Sequence, residues 1–251
     1  MAQIFKPSAN SITKVTLLSV ALGVPTTWLA LAALSRSPAN TKVNVPLNQP
    51  IPFSHQHHVT ELGIDCRYCH TSVEKSAFPG LPSTETCMSC HSQIWTNSPL
   101  LEPVRQSYET GTPIRWTQVN KVPDFVHFNH SIHLAKGINC NTCHGAVQNM
   151  HITWKGNEFQ MAWCLQCHRD PGRYVYKDKS ASPEQKPVEQ VFALYWKYQK
   201  TGLKGLTQRE QDIMQGNYKG VMGPEADEGR KLAKNYGIKV AQLSDCSVCH
   251  Y

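Results

Sequence analysis

The sequence predicts one N-terminal transmembrane helix followed by irregular loops and short α-helices, with little or no β-structure. Three observations predict this. Residues 15–34 carry no charged side chain, all ten cysteines fall in five C-x-x-C-H motifs, and prolines crowd the stretches between the first apolar run, the first motifs and the later ones. A chain so divided offers few long apolar patterns from which to build a sheet or a bundle.

The motifs are Cys66/Cys69/His70, Cys87/Cys90/His91, Cys140/Cys143/His144, Cys164/Cys167/His168 and Cys246/Cys249/His250. C-x-x-C-H is the haem c attachment pattern: the two sulfurs bond the porphyrin vinyl groups and the histidine lies against one axial face of the iron. Zinc is the competing reading of C-x-x-C, but zinc ribbons take the pairs two by two, five is odd, and zinc does not ask for a histidine after every pair. Five covalent haem c groups are therefore expected, and no cysteine is left for a disulfide. Twelve histidines are present. Those outside the motifs are His55, His57, His58, His127, His130, His133 and His151, enough to give every iron a second imidazole. The formal charge is +7. With about two propionates per haem and about one positive charge per ferric iron, it falls to about +2, and to about −3 on reduction. The basic balance thus reads as haem compensation, and no nucleic-acid partner is expected.

In chain order, residues 1–14 are expected as a cytoplasmic tail and 15–34 as the membrane span, long enough to cross a bilayer. Lys6 and Lys14 precede it, which places the N-terminus inside and the remainder outside. Pro25 should kink the helix. A cleaved signal peptide is the rival, since Ala30 and Ala32 resemble an A-x-A site, but the apolar run exceeds a typical signal core. Residues 35–52, with Pro38, Pro46, Pro50 and Pro52, read as an extended stalk. Residues 53–91 hold haems 1 and 2, 92–127 form a proline-bearing connector, and 128–172 hold haems 3 and 4. Residues 173–251 carry a helical segment and haem 5.

Phe53-Ser-His55-Gln-His57-His58 and Phe128-Asn-His130-Ser-Ile-His133 repeat one pattern, Phe-x-His-x-x-His, each followed by C-x-x-C-H. This duplication is the main internal repeat. Histidines three apart on a helical turn lie close together. If both rings ligate, and ligate different irons, the two haems must be neighbours; if one ligates, no such constraint exists.

The pattern resembles the cytochrome c3/c7 superfamily, which implies a multihaem cytochrome c domain. It also implies that the first histidine of each pair caps the next haem and the second the one after: His55 for haem 1, His58 for haem 2, His130 for haem 3 and His133 for haem 4. His151, ahead of Cys164, is implied for haem 5, with Met150, Met161 and Met222 as competitors. His57 and His127 are then spare. Bis-histidine ligation closes both axial positions, so no iron keeps a substrate site and no catalytic residue is expected.

One span, a stalk, PFSHQHH…GIDCRYCHTSVE, IRWTQVNKVPDFVHFNHSIH…GINCNTCHG and MAWCLQCHRDP are also similar to the membrane-anchored pentahaem subunit of bacterial alternative complex III. That resemblance implies an electron relay in a quinol-oxidising complex, in the bacterial inner membrane with its haem domain in the periplasm. The implied partners are an iron–sulfur subunit, polytopic quinol-binding subunits and a monohaem cytochrome c; the acceptor is a periplasmic carrier or an oxidase. A pentahaem nitrite reductase would show C-x-x-C-K. A stand-alone membrane-anchored multihaem quinol dehydrogenase, the alternative, would show C-x-x-C-H-x-M at haem 1, where this chain has Thr71 and Ser72.

Overall fold

The uncharged run forms the middle of a 29-residue helix, α1 (Ser8–Arg36), which at 1.5 Å per residue is about 44 Å long. None of its residues is buried, and it is long and apolar enough to cross a membrane. Pro25 lies inside it, and the Thr26 hydroxyl donates to the Leu22 carbonyl at 2.7 Å in the turn the proline disturbs. A single turn, α2 (Pro38–Thr41), follows. The chain is seen here in a computed structural model that describes residues 4–182 and 184–250. It divides into two units, one ending at Val43 and the other starting at Asn44.

In the second unit, each C-x-x-C pair occupies a short helix of its own. These are α3 (Cys66–Cys69) and α4 (Thr84–His91); then, after α5 (Glu102–Thr110) and α6 (His130–Ala135), α7 (Cys140–His144) and α8 (Met161–Arg169). Next come α9 (Pro187–Thr201), α10 (Gln208–Met214) and α11 (Pro224–Asn235), and last α12 (Cys246–Cys249). Among the described residues there is no strand, only isolated bridges pairing Pro46 with Trp154 and Val126 with His250.

Short helices this close to the nucleation limit need caps. Asp65 Oδ1 accepts from the Arg67 N–H ahead of α3, and Asn139 Oδ1 accepts from the Asn141 N–H ahead of α7. Asn129 accepts from the Ser131 and Ile132 N–H groups at the start of α6. Thr207 and Glu210 form a reciprocal capping box on α10.

The polypeptide core lies in the C-terminal half. Helix α9 buries Val191, Phe192, Leu194 and Tyr195 against Leu134 of α6, Tyr176, Leu206, and Ile213 and Met214 of α10. A second cluster joins Ile138, Tyr174 and Val175 to Ala233 of α11. Helix α11 crosses the turn at Pro171–Arg173 so closely that a Cβ on Gly229 would sit 1.9 Å from the Gly172 carbonyl oxygen, so only glycine fits.

Helix α9 also reaches both repeats. Arg67, inside the first motif, lies 4.2 Å over the Phe192 ring and pairs with Glu189. Gln199 donates to the Val59 carbonyl, while the Tyr195 hydroxyl reaches Asn139 and Asn141 beside the third motif.

Candidate haem-binding sites

Within each motif helix the two cysteines are three residues apart, so both sulfurs emerge on one side. None is in a disulfide, and Cys90 and Cys246 are exposed while the other eight are partly covered. Burial raises the Cys143 thiol to about 12, with Cys167, Cys140 and Cys164 adding to it. Burial also raises Cys69, then the neighbouring Cys87, and raises Cys164, then the neighbouring Cys249.

The histidine rings meet in pairs. His58 and His91 have ring centres 6.2 Å apart; so do His130 and His144, and His133 and His168. A transition metal binds imidazole nitrogen at about 2 Å and the ring centre lies about 1 Å beyond, so two rings sharing a metal from opposite sides have centres about 6 Å apart. His55 sits close to His70: burial, then His70, His58 and His144, hold it down to about 4. Burial, then His130 and His70, lower His144 to about 4 as well. These rings stay neutral, as ligands must.

Tautomers are fixed by what Nδ1 meets. It faces a backbone carbonyl in His58 (Ser54, 2.8 Å), His70 (Gly80, 2.8 Å), His91 (Ile94, 3.2 Å), His130 (Ala77, 2.8 Å), His133 (Asn129, 2.7 Å) and His168 (Leu243, 3.0 Å). A carbonyl only accepts, so each Nδ1 carries the proton and each Nε2 keeps a free lone pair, the arrangement of a metal-ligating histidine. In His55, Nδ1 meets the Thr153 hydroxyl at 3.1 Å. The carbonyl acceptors and Thr153 were invisible to sequence reasoning, because any residue supplies a carbonyl and a lone threonine carries no signal.

The remaining candidates lie as follows. His57 pairs with Glu61 at 2.8 Å and stacks on Trp95. His127 donates its backbone N–H to the Cys249 carbonyl, and Phe125 packs against the His250 ring at 5.6 Å. His151 is exposed and near Glu61, whose carboxyl is lowered first by the His57 hydrogen bond and lastly by His151. Among the described residues no ring contact joins His151 to His250. Met150 is fully buried, whereas Met161 and Met222 are exposed.

Paired sulfurs, ring spacing and tautomers all fit haem c. Buried polar atoms at the third motif, Asn139 Nδ2 and Thr142 Oγ1, meet no partner in the protein, as expected where a non-protein group closes the wall.

Residues 126–186 match the family model described as cytochrome c7 and related cytochrome c. Over 97 residues the chain is 39% identical to a protein of Nitratidesulfovibrio vulgaris named menaquinone reductase, multiheme cytochrome c subunit; the match covers 38% of this chain and 45% of that protein. The matched parts are thus similar to cytochrome c7 and to a multihaem cytochrome c subunit, and cytochromes c carry covalent haem c.

Proposed function

We propose that the chain is a membrane-anchored pentahaem electron-relay subunit of a quinone-linked respiratory complex, of the alternative complex III kind. The observation that carries this reading is the set of three ring pairs at 6.2 Å, in which five of the six rings turn Nδ1 to a backbone carbonyl. When bound, haem c supplies one-electron oxidation and reduction.

The protein's part is to hold and insulate. His70 with His55, His91 with His58, His144 with His130 and His168 with His133 would hold the first four haems. His250 would hold the fifth; the resemblance implies His151 opposite it, although His151 lies beside Glu61 of the first repeat and Phe125 is what packs against His250. Histidine pairs in this role would leave no position for a substrate and would favour a lower potential than His/Met ligation. Each Nδ1–H bonded to a carbonyl makes its ligand more basic and fixes the ring plane. The domain order 1–14, 15–34, 35–52, 53–91, 92–127, 128–172 and 173–251 puts this region outside the inner membrane, in the periplasm. Its partners are an iron–sulfur subunit, polytopic quinol-binding subunits and a monohaem cytochrome c.

The name of the Nitratidesulfovibrio relative favours a second direction of flow, in which electrons pass toward menaquinone rather than away from quinol. Purifying the native complex tests both. Iron–sulfur and polytopic subunits should co-purify, and electron transfer assayed from quinol to cytochrome c and from reduced cytochrome c to menaquinone gives the direction. A solitary chain that oxidises quinol unaided would overturn the relay reading. At residue level, His58→Ala and His133→Ala should each turn one of five low-spin haems high-spin and open it to carbon monoxide. His151→Ala should do the same to the fifth, and an unchanged optical spectrum would remove that assignment.

A further inference from the structure

We propose that the five attachment sites lie in space in the order second, first, third, fourth, fifth, with the two repeats joined through their leading sites. This rests on the reading above that each motif carries a haem, and it adds the sequence of neighbours.

Within the first repeat, His55 and His58 leave one helical turn, and His58 reaches across to His91 of the second motif. Tyr68, inside the first motif, shares a hydrogen bond of 2.9 Å with Ser89, inside the second. Sites one and two are therefore adjacent. Within the second repeat, His130 and His133 stand on the same helix, α6, and face His144 and His168 respectively. Sites three and four are adjacent for the same reason.

The junction is reciprocal. Nδ1 of His130, the leading histidine of the second repeat, donates to the Ala77 carbonyl in the loop between the first two motifs. His55, the leading histidine of the first repeat, meets Thr153 in the corresponding loop between the third and fourth. The trailing histidines, His58 and His133, use carbonyls four residues back in their own repeats. Each repeat thus steadies the other's leading ring, and among the described residues no such hydrogen bond reaches the other's trailing ring.

One short turn completes the join: Ala77 holds His130 and Gly80 holds His70, both at 2.8 Å. Rings belonging to sites one and three are positioned by the same four residues. Cys66 and Cys140, from those two sites, also pack against one core cluster, the one containing Tyr195. At the far side, Cys249 Sγ of the fifth site lies 3.8 Å from His168 Nδ1 of the fourth. The order leaves sites two and five as ends, and these contain the two exposed cysteines, Cys90 and Cys246.

A density map of the native, haem-loaded complex reads the order from iron–iron distances. The shortest separations should be two–one, one–three, three–four and four–five. An iron at site two lying nearer to site three than the iron at site one does would overturn the proposal. Finding fewer haems than five would instead count against the pentahaem reading, and the order of those present would still be read.

Gly80→Ala offers a second measurement. Gly80 has φ +79°, and an added Cβ would lie 2.9 Å from the Ser72 hydroxyl. Displacing the turn should shift the electron paramagnetic resonance signals of two haems, the first and third, together. If that variant fails to fold, Ser72→Ala removes only the brace from the Ser72 hydroxyl to the Phe78 carbonyl at 2.9 Å. A change confined to one haem would show that the turn is not shared, against the proposal.

Discussion

The two Phe-x-His-x-x-His repeats place their rings almost identically on different backbones. In the first, Phe53 meets His55 edge-on at 5.0 Å and 90°, and lies over His58 at 4.4 Å and 26°. In the second, Phe128 meets His130 at 4.7 Å and 89°, and lies over His133 at 4.8 Å and 25°. Yet the first is carried by a π-helical turn, Gln56–Glu61, and the second by an ordinary helix, α6, with an asparagine cap. The phenylalanine, wedged between two imidazoles, sets ring placement in both. What surrounds the rings differs more. The third motif is set in polypeptide core, with Asn139 and Asn141 buried, whereas the second carries the exposed Cys90.

The largest expected effect comes from removing the core behind the second repeat. Leu194 is buried on α9, and Leu194→Ala should cost about 2–5 kcal/mol. Hydrogen exchange should then rise more across 128–168 than across 53–91; an equal rise would erase the difference drawn here.

A smaller effect separates the two ring-bearing turns. Asn129→Ala removes the acceptor for two N–H groups of α6 and should cost about 1 kcal/mol. Ser54→Ala removes a single acceptor, for the His57 N–H at 3.1 Å, and should cost less. Chemical denaturation of both variants measures the gap.

The smallest effect depends on pH. The first motif is capped by Asp65 and the third by Asn139, which cannot ionise. Burial pushes the Asp65 carboxyl up, but the Arg67 hydrogen bonds and charge outweigh it and hold it below its usual range. A carboxyl depressed on folding contributes stability above its unfolded value, about 3.9, and loses it as pH falls through the folded one. Acid should therefore loosen the first repeat before the second, and Asp65→Asn should flatten that slope in hydrogen exchange between neutral pH and pH 3.

Much of this was legible in the residues. Cysteine spacing marks every motif helix, and the uncharged run marks α1, because both are local patterns. The family resemblance, rather than the spacing of the Phe-x-His-x-x-His repeat, implied partners for His58, His130 and His133, whose ring centres lie 6.2 Å from those of His91, His144 and His168. The π-helical form of the first turn was not legible, since three-residue spacing suits an α-turn equally well. Nor were Ala77, Gly80 and Leu243, which act through carbonyls, or the reach of α9, whose Arg67 and Gln199 contacts span more than a hundred residues of sequence.

That reach has a consequence for biogenesis. Helix α9 follows the first four attachment motifs in the chain, so those motifs are translated before the segment that wedges their two halves together exists. Cysteine pairs in a nascent, unbraced polypeptide are open to a ligating enzyme in a way that the finished core would not allow. On the proposed pentahaem reading, haem attachment at those motifs precedes tertiary closure, which α9 then completes.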